Sequence, residues 1–317
     1  MTMICSICGS SDLSIFCTAE DRLQIRPGVV YEVWCCSACG YGWTEPSPAD
    51  EELAEFYPPT YLGDFEKVIE EYLSGRLAGT SSWKMETEKA ELVEKYVQSG
   101  RLLDIGCGEG KFLWSLDPKR WQRVGIDLNQ PLIEAARNKI PDLDLHVGTI
   151  DDEVLEEEGY DVITFWHALE HIPDPLRALA RTARLLRPGG LAFISLPKVE
   201  SLQAQWFRRH WYAFGDVPRH LHHFSSTSLK LLLSQVGLAF IEEVFFSKAV
   251  NFHCWKHSMR SWSRERFRSQ LPYILFKPAL HLLPLLEALT GRQGVSTLIA
   301  RKGESRGTLE TFSPDSV

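Results

Sequence analysis

The sequence contains no uninterrupted apolar run of about 18 residues, so none of it is written to cross a bilayer as a helix. Its first ten residues include Cys5 and Cys8 and lack the apolar core of a secretory leader. Positive charge is in deficit: 34 Lys and Arg face 42 Asp and Glu, a net charge of −8. That excludes a global field for wrapping nucleic acid and leaves only local basic patches. The biases of a disordered or fibrous chain are missing too, with 44% hydrophobic and 24% charged residues among 317. This length suggests two domains, one with a full core, and the default expectation is a cytoplasmic protein.

Of the eight cysteines, six fall within the first 39 residues, so their use is local. Cys5-Ser6-Ile7-Cys8-Gly9 and Cys36-Ser37-Ala38-Cys39-Gly40 are two CxxC knuckles, each followed by glycine. Two thiolates in such a turn can face one tetrahedral ion, and the glycine lets the backbone close beneath it. Cys5, Cys8, Cys36 and Cys39 together make a four-sulfur shell with no open position for water, the pattern of structural zinc. Disulfides or a redox pair are the competing uses, and Cys35 is a spare that competes with Cys36. Ile15–Cys17 and Val29–Trp34 read as strands of a ribbon over residues 1–45. Thr44-Glu45-Pro46-Ser47-Pro48 is a linker signature, and residues 46–80 read as a connecting arm with a short helix over Asp50–Tyr57.

From residue 81 to 302 the pattern becomes alternating helices and short apolar runs. A helix over Trp83–Gln98 precedes Leu102-Leu103-Asp104-Ile105-Gly106-Cys107-Gly108-Glu109-Gly110, a buried strand entering a glycine turn. Glycines there let the backbone approach a ligand at a helix amino terminus. Arg123–Asp127 is a second strand ending in an acid placed to accept from both ribose hydroxyls. Leu143–Gly148, Tyr160–Phe165 and Leu191–Ser195 supply three more strands, with helices over Pro131–Lys139 and Leu176–Leu186 between them. Phe240–Phe246 and Val295–Arg301 add a sixth and a seventh. The expectation is an α/β fold: a doubly wound, seven-stranded, mostly parallel, Rossmann-like sheet.

Four segments carry a family resemblance: Leu102–Gly110, Gly125-Ile126-Asp127, Leu169-Glu170-His171-Ile172-Pro173-Asp174-Pro175 and Leu185-Leu186-Arg187-Pro188-Gly189-Gly190. In this order and spacing they resemble the class I S-adenosylmethionine-dependent methyltransferases, over roughly residues 83–245. A dehydrogenase shares the glycine turn and ribose acid, but it carries GxGxxG where this chain has GxGxG. The resemblance implies S-adenosylmethionine as cofactor. Asp104 and the backbone of Gly106, Cys107, Gly108 and Gly110 would surround its methionine part. Asp127 would take the ribose, Leu128 and Ile150 would flank the adenine, and Asp151 would hold the adenine amine. The family has an acid directly after a glycine in that third motif, whereas here Gly148 is followed by Thr149. The resemblance also puts the His167 backbone near the methionine amine and His171 near the acceptor.

Methyl transfer to a hydroxyl or an acidic carbon needs one proton removed, work suited to histidine. Besides His171, the segment Gly215–Ser226 holds His220, His222 and His223 beside Asp216 and Arg219, too polar for plain core. His220 and His223 are candidate bases or substrate ligands, and a metal at this loop is a further use. Ser225-Ser226-Thr227 is a helix cap for Ser228–Val236. Together with the cysteine ribbon, the loop resembles zinc-ribbon methyltransferases of the sugar C-methyltransferase type. Those carry Tyr-x-Glu-His where this chain has Val217-Pro218-Arg219-His220 and keeps the histidine alone. The expected acceptor is a small molecule, a hydroxyl or carbon of a sugar or lipid-linked sugar. Trp206, Trp211, Tyr212 and Phe214 could stack on it or form cap core.

Residues 250–292 read as a helical insert. Lys256, Arg260, Arg264 and Arg268, four apart, make one basic stripe, followed by apolar Leu271–Leu289 broken by Pro272, Pro278 and Pro284. The segment 256–289 is either a solvated face with a helical lid or a contact with an anionic membrane. Residues 303–317 read as a disordered tail. Two other functions fit the parts: a zinc-ribbon RNA methyltransferase and a non-catalytic protein-binding relative. Against RNA stands a ribbon whose only basic residues are Arg22 and Arg26.

Overall fold

The computed structural model describes residues 3–58, 63–245, 248–278, 280 and 282–304, so most of the expected tail lies outside the described residues. The chain begins with strands β1 (Leu13–Glu20), β2 (Val30–Cys36) and β3 (Gly42–Glu45), then helices α1 (Phe65–Leu73) and α2 (Ser81–Glu94). Alternation follows: β4 (Gly100–Ile105), α3 (Lys111–Trp114), β5 (Trp121–Asp127), α4 (Gln130–Lys139), β6 (Asp144–Val147), β7 (Tyr160–Trp166), α5 (Pro175–Leu185) and β8 (Leu186–Pro197). The last third holds α6 (Leu202–Phe207), β9 (His222–His223), α7 (Ser226–Gln235), β10 (Leu238–Val244), α8 (Lys248–Phe267), α9 (Leu271–Phe276), α10 (Leu283–Thr290) and β11 (Val295–Lys302).

Seven strands form one sheet in the order β10-β11-β8-β7-β4-β5-β6. Pairing is parallel from β8 through β6, and β11 runs against both of its neighbours. This is the doubly wound, mostly parallel sheet expected. Central strands read as continuous apolar runs because helices cover both faces: in β7 every residue but Asp161 is buried. Ala178, Leu179 and Leu233 of α5 and α7 pack on one face, and Ile69, Val93 and Ile133 of α1, α2 and α4 on the other.

Three local readings change. Helix α2 closes at Glu94, four residues short of Gln98. Arg187–Gly190, between the expected helix and the strand Leu191–Ser195, is already strand, and the β7–β8 register shifts between Tyr160 and Val162. Arg268 lies one residue past α8 with φ +49, which leaves Lys256, Arg260 and Arg264 on the helical stripe. Trp211 and Phe214 are core residues at 2% and 0% exposure, packed with Trp255 beneath the outer face of the ribbon, so neither is open to stack on a ligand.

The ribbon does not close on itself. Its sheet has the order β1-β2-β3-β9, and β9 is the pair His222–His223 from the histidine loop. One face carries Cys36, Cys39 and Tyr41 into the core above α7, while the other buries Tyr31 and Val33 against the cap.

A buried acid fastens the insert. Glu287 of α10 is fully buried and accepts from Gln203 Nε2 at 2.9 Å and the Gly294 N–H at 3.1 Å. Burial pushes its carboxyl from 4.5 up to about 7. The native state therefore holds this proton more tightly than the unfolded chain, and stability falls as pH rises from 4.5 to about 7. Glu287→Gln removes that titration. Relative to wild type it is expected to gain about 3 kcal/mol across the window, read by denaturant unfolding at both ends. Identical pH dependence in the two proteins would exclude this role.

Candidate functional site

At the carboxyl ends of β4, β5 and β7 the chain builds a cradle. Gly106 and Gly110 sit at φ +70 and +85, and a Cβ on Gly106 would come within 2.9 Å of the Ala168 Cβ. Glycine is required there by both conformation and space. The Gly108 N–H donates to Asp127 Oδ2 at 2.9 Å and the Asn129 N–H to Asp127 Oδ1 at 2.8 Å. Asp127 is thereby fixed at the tip of β5 against the glycine turn. Asp104 is buried at 3% exposure and accepts from Thr164 Oγ1 at 2.6 Å. Desolvation raises its carboxyl to about 7, so a cationic or donor ligand arriving beside it would be bound with gain.

Cys107 is buried beneath the turn, with only its backbone in the loop. Leu128 is 74% exposed directly after the acid, an uncovered apolar surface, while Ile150 is core at 4%. Asp151 meets Arg177 Nε at 3.1 Å on the loop after β6, and Asp152 caps the Gly148–Thr149 turn by accepting from the Thr149 N–H at 2.6 Å. S-adenosylmethionine fits this donor set: open backbone at the turn, a buried acid, a fixed acid for a diol and an exposed apolar plate.

Beside the cradle lies a cluster of imidazoles. His167, at φ +59, follows β7; its N–H donates to the Ser195 carbonyl at 2.9 Å and its Nδ1 stands 3.6 Å from Glu170 Oε1. His171 and His220 meet edge to face, with ring centroids 4.7 Å apart and planes at 73°. His171 Nδ1 is 3.0 Å from the Arg219 carbonyl and 3.0 Å from the Tyr57 hydroxyl. A carbonyl only accepts, so Nδ1 carries a proton, which leaves Nε2 as the nitrogen that bears the lone pair whenever the ring is neutral. His220 is held well below its ordinary pKa, first by burial and then by the neighbouring imidazoles, and is neutral at physiological pH. Glu170 is 1% exposed, and neither of its carboxylate oxygens has a hydrogen-bond partner among the described residues. One ligand atom each from Glu170, His171 and His220 lie within 4.8 Å of one another.

His223 is placed differently. Thr44 Oγ1 donates its one proton to the His220 carbonyl at 2.7 Å, so at 2.9 Å the His223 Nε2–H must donate to that same oxygen. Burial takes His223 down to about 3. The loop is pinned from beneath by Arg219, whose buried guanidinium holds Asp21 at 2.7 Å and Asp216 at 3.0 Å. Thr44, Tyr57 and Asp21 belong to no site motif and reach this loop only through the fold, while Glu170 stands in the Leu169–Pro175 segment with no role of its own assigned from the sequence.

In the ribbon, Sγ of Cys5 and Cys39 lie 3.6 Å apart and those of Cys8 and Cys36 3.5 Å apart, all four within 4.8 Å of one another. An edge near 3.8 Å is what a tetrahedron with about 2.3 Å metal–sulfur bonds requires, so these four would hold zinc. Cys35 is left outside, its Sγ 3.9 Å from the Gly40 carbonyl.

A family profile described as "Methyltransferase domain" matches residues 81–243. The ubiquinone biosynthesis O-methyltransferase of Xanthomonas oryzae pv. oryzae is 34% identical over 130 residues, covering 39% of this chain and 54% of that protein. The chain thus spans about half the length of that relative. The protein of the same name from Xanthomonas euvesicatoria pv. vesicatoria is 30% identical over 174 residues, 52% of this chain and 71% of the other. A chain in the solved methyltransferase–activator complex of Haloferax volcanii shares the fold at 18% identity and a TM-score of 0.50, over 76% of this chain and 98% of that one.

Proposed function

Starting from a chain that belongs to the S-adenosylmethionine-dependent methyltransferase family, we propose that it methylates a hydroxyl of a small molecule, with His171 and His220 removing the proton. The bound cofactor supplies an electrophilic methyl on a sulfonium and leaves as a neutral thioether. The chain's own work is to align the hydroxyl, exclude water and take one proton. Asp104 and the Gly106–Gly110 backbone hold the methionine part, Asp127 the ribose and Leu128 the adenine. As the acceptor oxygen bonds to the methyl carbon, its proton passes to an imidazole nitrogen. The observation that carries this reading is the edge-to-face pair of imidazoles beside the cradle, one kept neutral by burial and the other held through Nδ1 by a backbone carbonyl. His223 keeps a holding role in the ribbon sheet.

The acceptor class follows from two supports. Relatives named O-methyltransferases favour oxygen over carbon, and the ribbon beside the histidine loop favours a sugar or lipid-linked sugar. Product analysis by NMR after incubation with sugar nucleotides, lipid-linked sugars and phenols is the test. An O-methyl signal is expected, and a C-methyl product would refute the oxygen assignment.

Glu170 favours a second reading. A carboxylate with no hydrogen-bond partner, within reach of two imidazoles, is what a divalent cation would satisfy. Such an ion would polarise the acceptor oxygen and take the place of the base. Dialysis against a chelator, with ribbon zinc verified as retained, separates the two. Base catalysis survives it, and cation-assisted transfer is lost until magnesium or manganese is restored.

A further inference from the structure

The insert ends in a surface that no other part of the described chain covers. In α9, α10 and the segments beside them, Tyr273, Leu280 and Glu287 are buried. Phe267, Leu271, Ile274, Leu275, Phe276, Leu282 and Leu289 are instead 51–86% exposed. Single exposed apolar residues are ordinary, but seven within residues 267–289 make a patch. Its charge is the reverse of the chain's. From Arg266 to Arg292 the cations are Arg266, Arg268, Lys277 and Arg292, and the one carboxylate, Glu287, is buried, whereas the whole protein carries −8. No described helix is long and apolar enough to cross a membrane. Helices α9 and α10 are six and eight residues, each with proline in its first turn.

We propose that this surface docks on an anionic lipid bilayer. Leu275, Phe276 and Leu289 enter the acyl boundary, and Arg266, Arg268 and Lys277 meet headgroup phosphates. Complementary charge selects this occupant: the chain as a whole is acidic, while this apolar surface is flanked by cations and by no exposed carboxylate between Arg266 and Arg292. Helix α8 ties the docked face to the active-site side, since its Ser258 Oγ accepts from the Tyr212 N–H at 2.9 Å in the turn leading to His220. Where the hydroxyl reading above holds, a lipid-linked or otherwise amphiphilic acceptor is the class this docking serves, but the docking itself does not depend on it.

Cosedimentation of the full chain with vesicles of phosphatidylcholine containing about 30% phosphatidylglycerol tests it. Wild type is expected to pellet with these vesicles and not with pure phosphatidylcholine, with affinity about tenfold lower in 0.5 M salt. Leu275→Glu with Phe276→Glu, and Arg266→Glu with Arg268→Glu, should each lose binding while keeping the circular dichroism and cofactor affinity of wild type. Wild type remaining in the supernatant, or variants pelleting equally, would overturn the proposal. A dimer in ultracentrifugation that Leu275→Glu with Phe276→Glu abolishes, without vesicle binding, would assign the surface to a second copy. Calorimetric titration of the same preparation with S-adenosylmethionine keeps failure of docking distinct from failure of the enzyme assignment.

Discussion

Alanine at His171 is expected to lower turnover by about 10² to 10⁴ while leaving affinity for S-adenosylmethionine within about twofold. In the proposed arrangement the cofactor rests on the glycine turn and Asp127, and the bonds that fix these do not use the imidazole for support. The His171 ring is held at Nδ1 by the Arg219 carbonyl and Tyr57, so its loss removes an aligned lone pair without unpinning the loop, whose anchor is the Arg219–Asp21–Asp216 cluster. His220→Ala is expected to match it within about tenfold, and the double variant to be little worse than either, because groups acting as one unit do not contribute additively. A pH profile assigns the base. Burial and the facing imidazoles keep His220 neutral well below its ordinary range, so it contributes no acidic limb near neutrality. A limb present in wild type and His220→Ala but absent from the residual activity of His171→Ala identifies His171 as the proton acceptor. Wild-type turnover in both single variants would remove imidazole from the mechanism.

The sheet was legible because its signals are local. Each of Leu102–Gly110, Gly125–Asp127 and Tyr160–Phe165 carries its own apolar run and terminal punctuation, and hydrogen bonding between neighbours did the rest. The four thiolates were legible for the same reason, since both knuckles are short spacings in one segment. What escaped is non-local. A two-residue strand has no periodicity, so nothing in His222–His223 announces that Trp43 and Gly42 will pair with it. Three histidines in four residues suggested a reactive cluster, yet the fold splits them: His220 turns toward His171, His223 toward Thr44 and His222 toward the Tyr41 hydroxyl. Tyr57 reaches His171 across 114 positions from a stretch that reads as linker. Glu170 was visible only as part of a family motif, and its lack of a hydrogen bond among the described residues is a property of the packed loop.

Removing zinc from the four thiolates that would hold it is expected to abolish turnover and spare cofactor binding. A 45-residue ribbon has little core of its own, and a four-thiolate site holds about 10 kcal/mol or more of the folding free energy of such modules. The knuckles connect directly to the histidine loop. The Cys39 carbonyl accepts from Ser225 Oγ at 2.6 Å, the Thr44 N–H donates to the Leu221 carbonyl at 3.0 Å, and Thr44 Oγ1 donates to the His220 carbonyl at 2.7 Å. Asp21, in the turn between β1 and β2, holds Arg219, whose carbonyl in turn orients His171. Loss of the ion frees all four attachments together, and both imidazoles lose their alignment; a displacement of about 1 Å is enough to cost a hundredfold. The cofactor cradle stands on β4, β5 and β7, which keep their pairing and core, so affinity for S-adenosylmethionine should stay within several-fold. Cys36→Ser tests this without a chelator, which would also strip a cation from Glu170. Thr44→Val tests it with zinc in place: the loop loses one donor and one acceptor, and turnover should fall about tenfold with zinc content unchanged. Full activity in a zinc-free protein would make the ribbon a bystander. Collapse of cofactor affinity alongside turnover would mean that the metal supports the whole fold and not the histidine loop alone.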